Sequence, residues 1–186
     1  MTIETCEIDG LMIIQPRIFE DDRGYFFESF NQKKFEDTCN LQTNFVQDNE
    51  SFSEYGTLRG LHFQKPPFAQ AKLVRVISGK VLDVVVDIRS ESPTFGKHFS
   101  IELSSENKTQ FYVPAGFAHG FVVLSKHAVF SYKVDNYYNG TSDSGILWND
   151  LDLKIDWQIQ DENIHLSDKD MKQQQFSDYC KQAVFH

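Results

Sequence analysis

The chain has 186 residues, a length typical of one domain, and 40% of them are hydrophobic, which is enough for a substantial core. The formal net charge of −9 argues against a general nucleic-acid binder, and no apolar run is long enough to span a membrane. Cys6, Cys39 and Cys180 form neither a zinc-type pair nor a disulfide framework, so we expect a reduced, cytoplasmic setting. The first residues, MTIETCEIDG, lack a basic segment followed by an apolar run, and we expect no signal peptide.

Short apolar stretches separated by turn residues predict a chain made mostly of β-strands. Turn signals such as Ser78-Gly79 and Asn139-Gly140 divide these stretches. The predicted strands are, in chain order, Leu11–Ile14, Gly24–Phe30, Asn44–Ser51, Lys72–Ile77, Lys80–Ile88, Lys97–Leu103, Gln110–Val113, Gly120–Leu124 and Val129–Asn136. Many short strands at this spacing favour a sandwich or barrel over a parallel α/β sheet.

Two short helices are predicted at the periphery of this β-rich fold. Asn31 can cap a helix over Gln32–Cys39, because asparagine readily accepts a hydrogen bond from a backbone N–H in the first turn. Ser167 can cap another helix that starts near Asp168.

The stretch Arg59–Val76, RGLHFQKPPFAQAKLVRV, places cations among apolar residues. Alternation along the strand Lys72–Ile77 puts Lys72 on one face and Arg75 on the other. Both faces also carry aliphatic side chains, so we expect this strand in a barrel wall with a cavity inside and another layer outside. A lysine facing inward needs a partner, either a local ion pair or a negative ligand in the cavity.

Other chemically useful side chains occur singly, and each has an ordinary structural explanation. A lone histidine such as His119 is more often a hydrogen-bonded structural residue than a catalyst. Tyr132 is by default a core aromatic, and Arg23 with Glu28 is compatible with a surface ion pair. Asp170 suits the first turn of a helix. Taken singly, none of these residues indicates a function.

The spacing Pro114-x-Gly116-x-x-His119 resembles the second motif of cupin barrels, whose histidine can bind a metal. The usual first cupin motif has a His-x-His pair followed by a carboxylate. The matching region here is Leu61-His62-Phe63, with one histidine and no nearby Glu. Two histidines do not complete the three protein ligands of a catalytic metal site, so we expect a cupin-type barrel without metal.

Five motifs occur in order across nearly the whole chain: GTLRGLHFQKPPFAQAKLVRVISGKVLDVVVDIRSESPTFGKH, YVPAGFAHGFVVLS, YKVDNYYN, WNDLDLKIDW and LSDKD. Together they closely resemble the dTDP-4-dehydrorhamnose 3,5-epimerase family, from about Gly10 to Asp170. The resemblance implies a mainly β, cupin-like jelly roll that forms a homodimer. It also implies inversion of carbons 3 and 5 of a dTDP-linked 4-keto-6-deoxyhexose, with no cofactor, on the route to dTDP-L-rhamnose for cell-surface polysaccharide.

The chemistry of such a reaction explains the residues that the resemblance assigns to it. Removing a proton beside a ketone leaves an enolate, so the site needs a base, an electrophile at the ketone oxygen and an acid on the opposite face. By resemblance, His62 is the base and Asp170 orients its imidazole. Lys72 stabilises the enolate oxygen, and Tyr132 is the acid. His119 contacts the substrate near the reacting sugar.

The resemblance assigns the dTDP moiety to a separate set of side chains. Those that contact it are Arg23, Glu28, Gln47, Asn49 and Arg59, and Lys169 matches a further ligand-contacting position. Arg59 suits a pyrophosphate, because its planar guanidinium binds oxygens bidentately, and Tyr138 would stack on the thymine. Asp143 stands where relatives commonly carry the longer Glu. Phe63 replaces a frequent Tyr and should point away from His62.

Three alternatives to the double epimerase stay open at this stage. A sibling enzyme would invert only carbon 3 or only carbon 5, or act on a related sugar; the presence of Tyr132 with His62, Lys72 and Asp170 favours the double reaction. A catalytically silent nucleotide-sugar-binding cupin would be expected to lack the base or the acid. A metal-dependent cupin oxygenase is disfavoured by the ligand count.

Overall fold

A computed structural model describes all residues from 1 to 186 and contains thirteen strands. The strands are β1 Thr2–Thr5, β2 Met12–Gln15, β3 Ile18–Asp21, β4 Gly24–Phe27, β5 Gln47–Glu54, β6 Leu58–Gln64, β7 Lys72–Ser78, β8 Lys80–Asp87, β9 His98–Ser104, β10 Gln110–Val113, β11 Phe117–Val123, β12 His127–Val134 and β13 Asp143–Gly145. The helices are α1 Gln32–Cys39 and α2 Phe176–Cys180, with 3₁₀ turns at Asp161–Asn163 and Asp170–Lys172. Neither helix combines the length and apolar character required to cross a membrane.

Two antiparallel sheets pack face to face, and a hairpin stands apart from them. The first sheet has the order β1-β2-β10-β7-β12-β5, and the second has the order β13-β6-β11-β8-β9. The hairpin pairs β3 with β4. Neighbours in both sheets are often distant in sequence, as in β10 with β2 and β11 with β6. This arrangement confirms the predicted mainly β, cupin-like jelly roll.

The core between the two sheets is built from alternate residues of their central strands. Val74 on β7, Val85 on β8 and Phe130 on β12 are all fully buried in one cluster. Phe130 also stacks on Phe121 of the facing sheet, with ring centroids 4.1 Å apart. Since Lys72 shares the inward face of β7 with Val74, the alternation predicted for that strand is confirmed.

The outer faces of the sheets are covered unequally. The second sheet packs under the C-terminal segment, where Phe63 lies against Tyr179 at 5.5 Å between ring centroids and so points away from His62, as predicted. The first sheet packs against α1 through Phe35. Arg75 faces outward beside Phe27 and away from Lys72, also as predicted, with its guanidinium 6.0 Å from the ring centre.

Helix α1 has the bounds that the sequence predicts. The Asn31 side chain accepts a hydrogen bond from the backbone N–H of Lys34 at 3.1 Å, and Asn40 ends the helix in the left-handed region at φ 51°. Phe35 and Cys39 are buried four residues apart on one face, which anchors the helix to the first sheet.

The second predicted helix is wrong in its position. Ser167 does accept a hydrogen bond from the backbone N–H of Asp170, but only a 3₁₀ turn follows. After Lys172 the chain is extended at Gln173, and the carbonyl oxygen of Gln174 accepts a hydrogen bond from the backbone N–H of Leu147. Helix α2 therefore begins only at Phe176, whose N–H is accepted by Asp150 at 2.7 Å.

Several strand predictions also need correction. The strand predicted over Gly24–Phe30 ends at Phe27, and the one predicted over Asn44–Ser51 instead spans Gln47–Glu54. Strands β1, β3, β6 and β13 were not predicted. Strands β1 and β3 are mostly exposed and lack apolar alternation, and β13 is only three residues long. Strand β6 escaped prediction because its alternation is interrupted.

The interruption in β6 is a β-bulge against β11. His62 pairs with His119 and Arg59 pairs with Phe121, so a step of three residues on β6 faces a step of two on β11. Side chains three apart on a regular strand point to opposite faces. The extra residue at the bulge allows Arg59 and His62 to line the same cavity.

Two glycines permit the close contact of β6 with β11. A Cβ on Gly120 would lie 2.7 Å from the carbonyl oxygen of Arg59, and one on Gly60 would lie 2.5 Å from Gly120 Cα. Gly60 also has φ 146°, which residues with a side chain rarely adopt. No side chain fits between the strands at the bulge.

Gly120→Ala is therefore expected to destabilise the protein by about 1–3 kcal/mol, because the new methyl group must push two paired backbones apart. Gly140→Ala is the matched control. Its Cβ would meet nothing closer than 3.8 Å, so we expect a change within about 0.5 kcal/mol. Urea unfolding of both variants measures the difference, and equal stabilities would contradict the assignment of Gly120 to a close contact.

Candidate active site

A cavity of about 310 Å³ lies between the two sheets, where their inward side chains change from apolar to polar. Strands β5, β7 and β12 contribute one wall, and β6 and β11 contribute the facing wall. It brings together all four residues predicted to be catalytic and three of those predicted to bind the substrate. The predicted residues that line it are Arg59, His62, Lys72, His119, Tyr132, Lys169 and Asp170.

His62 is held by a carboxylate from the turn after Ser167. Its Nε2 lies 2.5 Å from Oδ1 of Asp170, and the Ser167 hydroxyl donates to Oδ2 at 2.6 Å. Burial raises the pKa of Asp170, but the hydrogen bonds from His62 and Ser167 outweigh it and hold this pKa below its ordinary value. The ionised carboxylate selects the His62 tautomer with the proton on Nε2, which leaves Nδ1 free to accept a proton.

Lys72 projects into the cavity from the opposite wall. Its ammonium donates to Nδ1 of His119 at 3.3 Å, and Nε2 of His119 lies 3.0 and 2.9 Å from the two carboxylate oxygens of Asp83. Burial lowers the pKa of Lys72 to about 8, against the opposing effect of Asp83. Burial also lowers the pKa of His119. The neutral imidazole therefore separates a lysine cation from a buried carboxylate.

Tyr132 and Arg59 complete the polar lining. Tyr132 follows Phe130 on the inward face of β12, and no protein group hydrogen bonds to its hydroxyl. Burial raises the pKa of Tyr132, so its hydroxyl keeps its proton at neutral pH. Arg59 donates from Nε to the Ser53 hydroxyl at 3.0 Å, which leaves the two terminal nitrogens of the guanidinium for other partners.

Four further predicted residues form one network that reaches Lys169 at the cavity. The Tyr138 hydroxyl donates to Asp143 at 2.9 Å, and this hydrogen bond raises the pKa of Tyr138. Lys169 forms an ion pair with the same carboxylate oxygen. The Tyr138 N–H donates to the Gln47 side chain at 3.2 Å, and Gln47 donates to Asn49 at 2.9 Å. The short side chain of Asp143 thus reaches both of its partners.

Arg23 and Glu28 lie away from the cavity of their own chain. The Arg23 side chain is 90% exposed on the hairpin and pairs with Asp21 at 2.6 Å, whereas Glu28 pairs with Lys34 at 2.6 Å. The ion pair between Arg23 and Glu28 that the sequence allowed does not form. Glu28 instead lines a separate cavity of about 410 Å³ between the hairpin and α1. That larger cavity lacks histidine and tyrosine, so we place the chemistry in the smaller one.

Sequence reasoning missed two residues of this site, Asp83 and Ser167. A signal for Asp83 was present, since a single acid interrupts the apolar run of β8 on the same face as Val81 and Val85. Ser167 was noted only as a helix cap, and its hydroxyl bond to Asp170 depends on the local turn.

The two histidines of the cavity each pair with one carboxylate, His62 with Asp170 and His119 with Asp83. The structure contains no group of three or more His, Cys, Asp or Glu side chains that could hold a metal ion. The cavity instead brings together a base with a free nitrogen, an ammonium and a protonated phenol. This combination suits proton transfer at a carbon beside a carbonyl group.

Comparison with known proteins identifies the family. The family model for dTDP-4-dehydrorhamnose 3,5-epimerase matches residues 5–178. The dTDP-4-dehydrorhamnose 3,5-epimerase of Shigella flexneri is 52% identical over 178 residues, which cover 96% of this chain and 97% of the relative. The crystal structure of the enzyme from Elizabethkingia anophelis NUHP1 is 55% identical with a TM-score of 0.92, and 96% of this chain and 97% of that chain are covered.

A further solved structure contains a bound sugar nucleotide. The dTDP-6-deoxy-D-glucose-3,5-epimerase of Legionella pneumophila Philadelphia 1, in complex with dTDP-4-keto-L-rhamnose, is 45% identical with a TM-score of 0.95. The match covers 100% of this chain and 97% of that one. These similarities extend along nearly the whole chain and confirm the resemblance seen in its motifs. The chain therefore belongs to the dTDP-4-dehydrorhamnose 3,5-epimerase family and is an isomerase.

Proposed function

We propose that the protein inverts carbons 3 and 5 of dTDP-4-dehydro-6-deoxy-D-glucose to give dTDP-4-dehydro-L-rhamnose, using only its own side chains. The observation that carries this proposal is that His62, Lys72 and Tyr132 line one cavity. Membership of the epimerase family supports the same reaction.

The first step is removal of a proton from the carbon beside the ketone. The free Nδ1 of His62 accepts that proton, and Asp170 stabilises the imidazolium that forms, since its carboxylate already binds Nε2. The electron pair of the broken C–H bond moves into the ketone and places negative charge on its oxygen. The Lys72 ammonium stabilises that enolate, a contribution typically on the order of 10²–10³ in rate.

The second step returns a proton to the same carbon from the other side. His62 belongs to β6 of the second sheet and Tyr132 belongs to β12 of the first sheet, so the base and the acid stand on facing walls of the cavity. The Tyr132 hydroxyl gives its proton to carbon and becomes a phenolate, which the positive charge of Arg59 stabilises. Addition of the new proton opposite to the one removed inverts the centre.

The nucleotide is held beside the reacting sugar by the polar side chains at the edge of the cavity. The free guanidinium nitrogens of Arg59 suit the pyrophosphate, and Lys169 adds a second cation. Tyr138 is largely exposed yet fixed through Gln47 and Asp143, which makes it a preorganised surface for stacking the thymine.

We also propose that the protein works as a homodimer. Large apolar side chains of the β3–β4 hairpin face solvent in a single chain, with Phe26 70% exposed beside Phe19 and Tyr25. A second copy would cover them. The same hairpin carries Arg23, which by family resemblance contacts the nucleotide but lies outside the cavity of its own chain. We infer that Arg23 and Glu28 serve the site of the partner subunit.

Solvent exchange distinguishes double from single epimerisation. Incubation with dTDP-4-dehydro-6-deoxy-D-glucose in heavy water should place deuterium at both carbon 3 and carbon 5, as followed by NMR. A reductase that traps the product should yield the L-lyxo sugar. Deuterium at only one carbon would establish a single-site epimerase in place of the proposed reaction. A protein that binds dTDP but exchanges neither proton would contradict catalysis on this sugar.

His62→Asn and Tyr132→Phe should each lower kcat by at least ~10²-fold, because each removes a proton-transfer group. Both should still bind dTDP in calorimetry. The matched control is His127→Asn, which alters an exposed histidine at the start of β12 and should leave kcat unchanged. Near-normal turnover of His62→Asn would remove His62 from its assigned role.

Mixing two differently impaired variants tests the shared site. Arg23→Ala should raise KM by on the order of 10–100-fold through loss of a charged hydrogen bond. After subunit exchange with His62→Asn, a mixed dimer would contain one site with an intact His62 and an intact Arg23, so activity should return. If Arg23 served its own chain, no intact site could form and the mixture would stay impaired. Sedimentation measures the dimer itself.

A further inference from the structure

Asp83 is a buried carboxylate that the proposed reaction does not use. It is 0% exposed on β8, between Leu82 and Val84, which pack on the outer face of the sheet. A carboxylate removed from water is strongly destabilising unless other groups compensate its charge. The only hydrogen-bond partner of its side chain is His119. The cation that compensates its charge therefore lies beyond this histidine.

The hydrogen-bond directions through His119 are determined by its two neighbours. The Asp83 carboxylate can only accept, so Nε2 of His119 carries the proton. Nδ1 is then a lone pair, and it accepts from the Lys72 ammonium at 3.3 Å. His119 is itself buried, which favours its neutral form. The result is a directed chain from Lys72 through His119 to Asp83.

The other charged groups near Lys72 are already engaged with one another or lie toward the cavity. The groups that face Lys72 from the surrounding elements are Arg59 and His62 on β6, Asp83 on β8, His119 on β11, Tyr132 on β12, Asp143 on β13, Glu50 on β5, and Lys169 and Asp170 in the turn after Ser167. Asp170 is bound to His62, and Asp143 is bound to Lys169. Lys72 is the only cation to which hydrogen bonds connect Asp83.

We propose that Asp83, acting through His119, is a positioning residue that keeps Lys72 protonated and its ammonium directed into the cavity. The inference rests on the proposed function, in which Lys72 must be a cation to stabilise the enolate. Burial disfavours the charged form of Lys72, and among the charged groups that favour this form Asp83 has the largest effect. One buried anion thereby sets the pH range in which the electrophile exists.

The sign of the effect follows from the charge. Lys72 loses its proton above its pKa of about 8, so kcat/KM should fall on the alkaline side as the ammonium disappears. Asp83→Asn removes the negative charge but keeps an oxygen that can accept from His119. The Lys72 pKa should therefore fall, and the alkaline limb should move to lower pH by on the order of one unit. Asp83→Glu keeps the charge and should restore most of the alkaline limb.

Two measurements test this inference. The first is the pH profile of kcat/KM for the wild type, Asp83→Asn and Asp83→Glu. The second is the NMR titration of ¹³C-dimethylated Lys72 without substrate, with the resonance assigned by its absence from Lys72→Arg. Should Asp83→Asn fail to fold, Asp83→Ser also removes the charge and fills less space.

Asp87→Asn is the matched control, because it removes the charge of a second fully buried carboxylate on β8. Asp87 is bound by Arg89, Ser92 and Thr94 and does not contact His119. This variant should lose stability while the Lys72 pKa and the alkaline limb stay at their wild-type positions.

A downward shift of the Lys72 titration in Asp83→Asn, absent in Asp87→Asn, supports the inference. An unchanged Lys72 titration in Asp83→Asn, or an equal shift in Asp87→Asn, overturns it. Because the titration needs no substrate, it is independent of the reaction. If the wild-type protein exchanged neither sugar proton but Asp83→Asn still lowered the Lys72 titration, the proposed function would be contradicted. The electrostatic link between Asp83 and Lys72 would nevertheless stand.

Discussion

The burial of charge between two apolar sheets is the constraint on which this structure depends. Three ionisable side chains from inward-facing positions, Lys72, His119 and Asp83, lie among fully buried valines and phenylalanines. Such groups are destabilising unless each has a partner, and here hydrogen bonds connect them in one chain. These bonds run from β7 of the first sheet to β11 and β8 of the second, and they hold Lys72, the electrophile of the proposed mechanism, at the cavity.

The wall formed by β6 and β11 depends on a departure from regular strand geometry. A bulge in β6 turns both Arg59 and His62 inward, and glycines at 60 and 120 allow the strands to remain in contact there. Asp170, from a turn more than 100 residues further along, then fixes the His62 ring. The base and the phosphate-binding group of the proposed mechanism share one wall because of a single extra residue.

Much of the site could be predicted because family motifs identify individual residues. His62, Lys72, Tyr132 and Asp170 were assigned from short motifs spread over the chain, and the fold brings all four to one cavity. Alternation in β7 correctly oriented Lys72, since a strand with a period of two has only two faces. Motifs do not describe electrostatic partners, which explains why Asp83 was overlooked in an apolar run.

The sequence by itself determined the mainly β class, the limits of α1 and the face of β7 that carries Lys72, because these depend on local periodicity and capping. Only the tertiary structure decided the inward turn of Arg59, the partner of His119 and the separation of Arg23 from the cavity. Each of these depends on contacts between segments far apart in the chain. A local pattern predicts which face of a strand carries a given side chain. The group that this side chain contacts depends on how strands far apart in the chain pair.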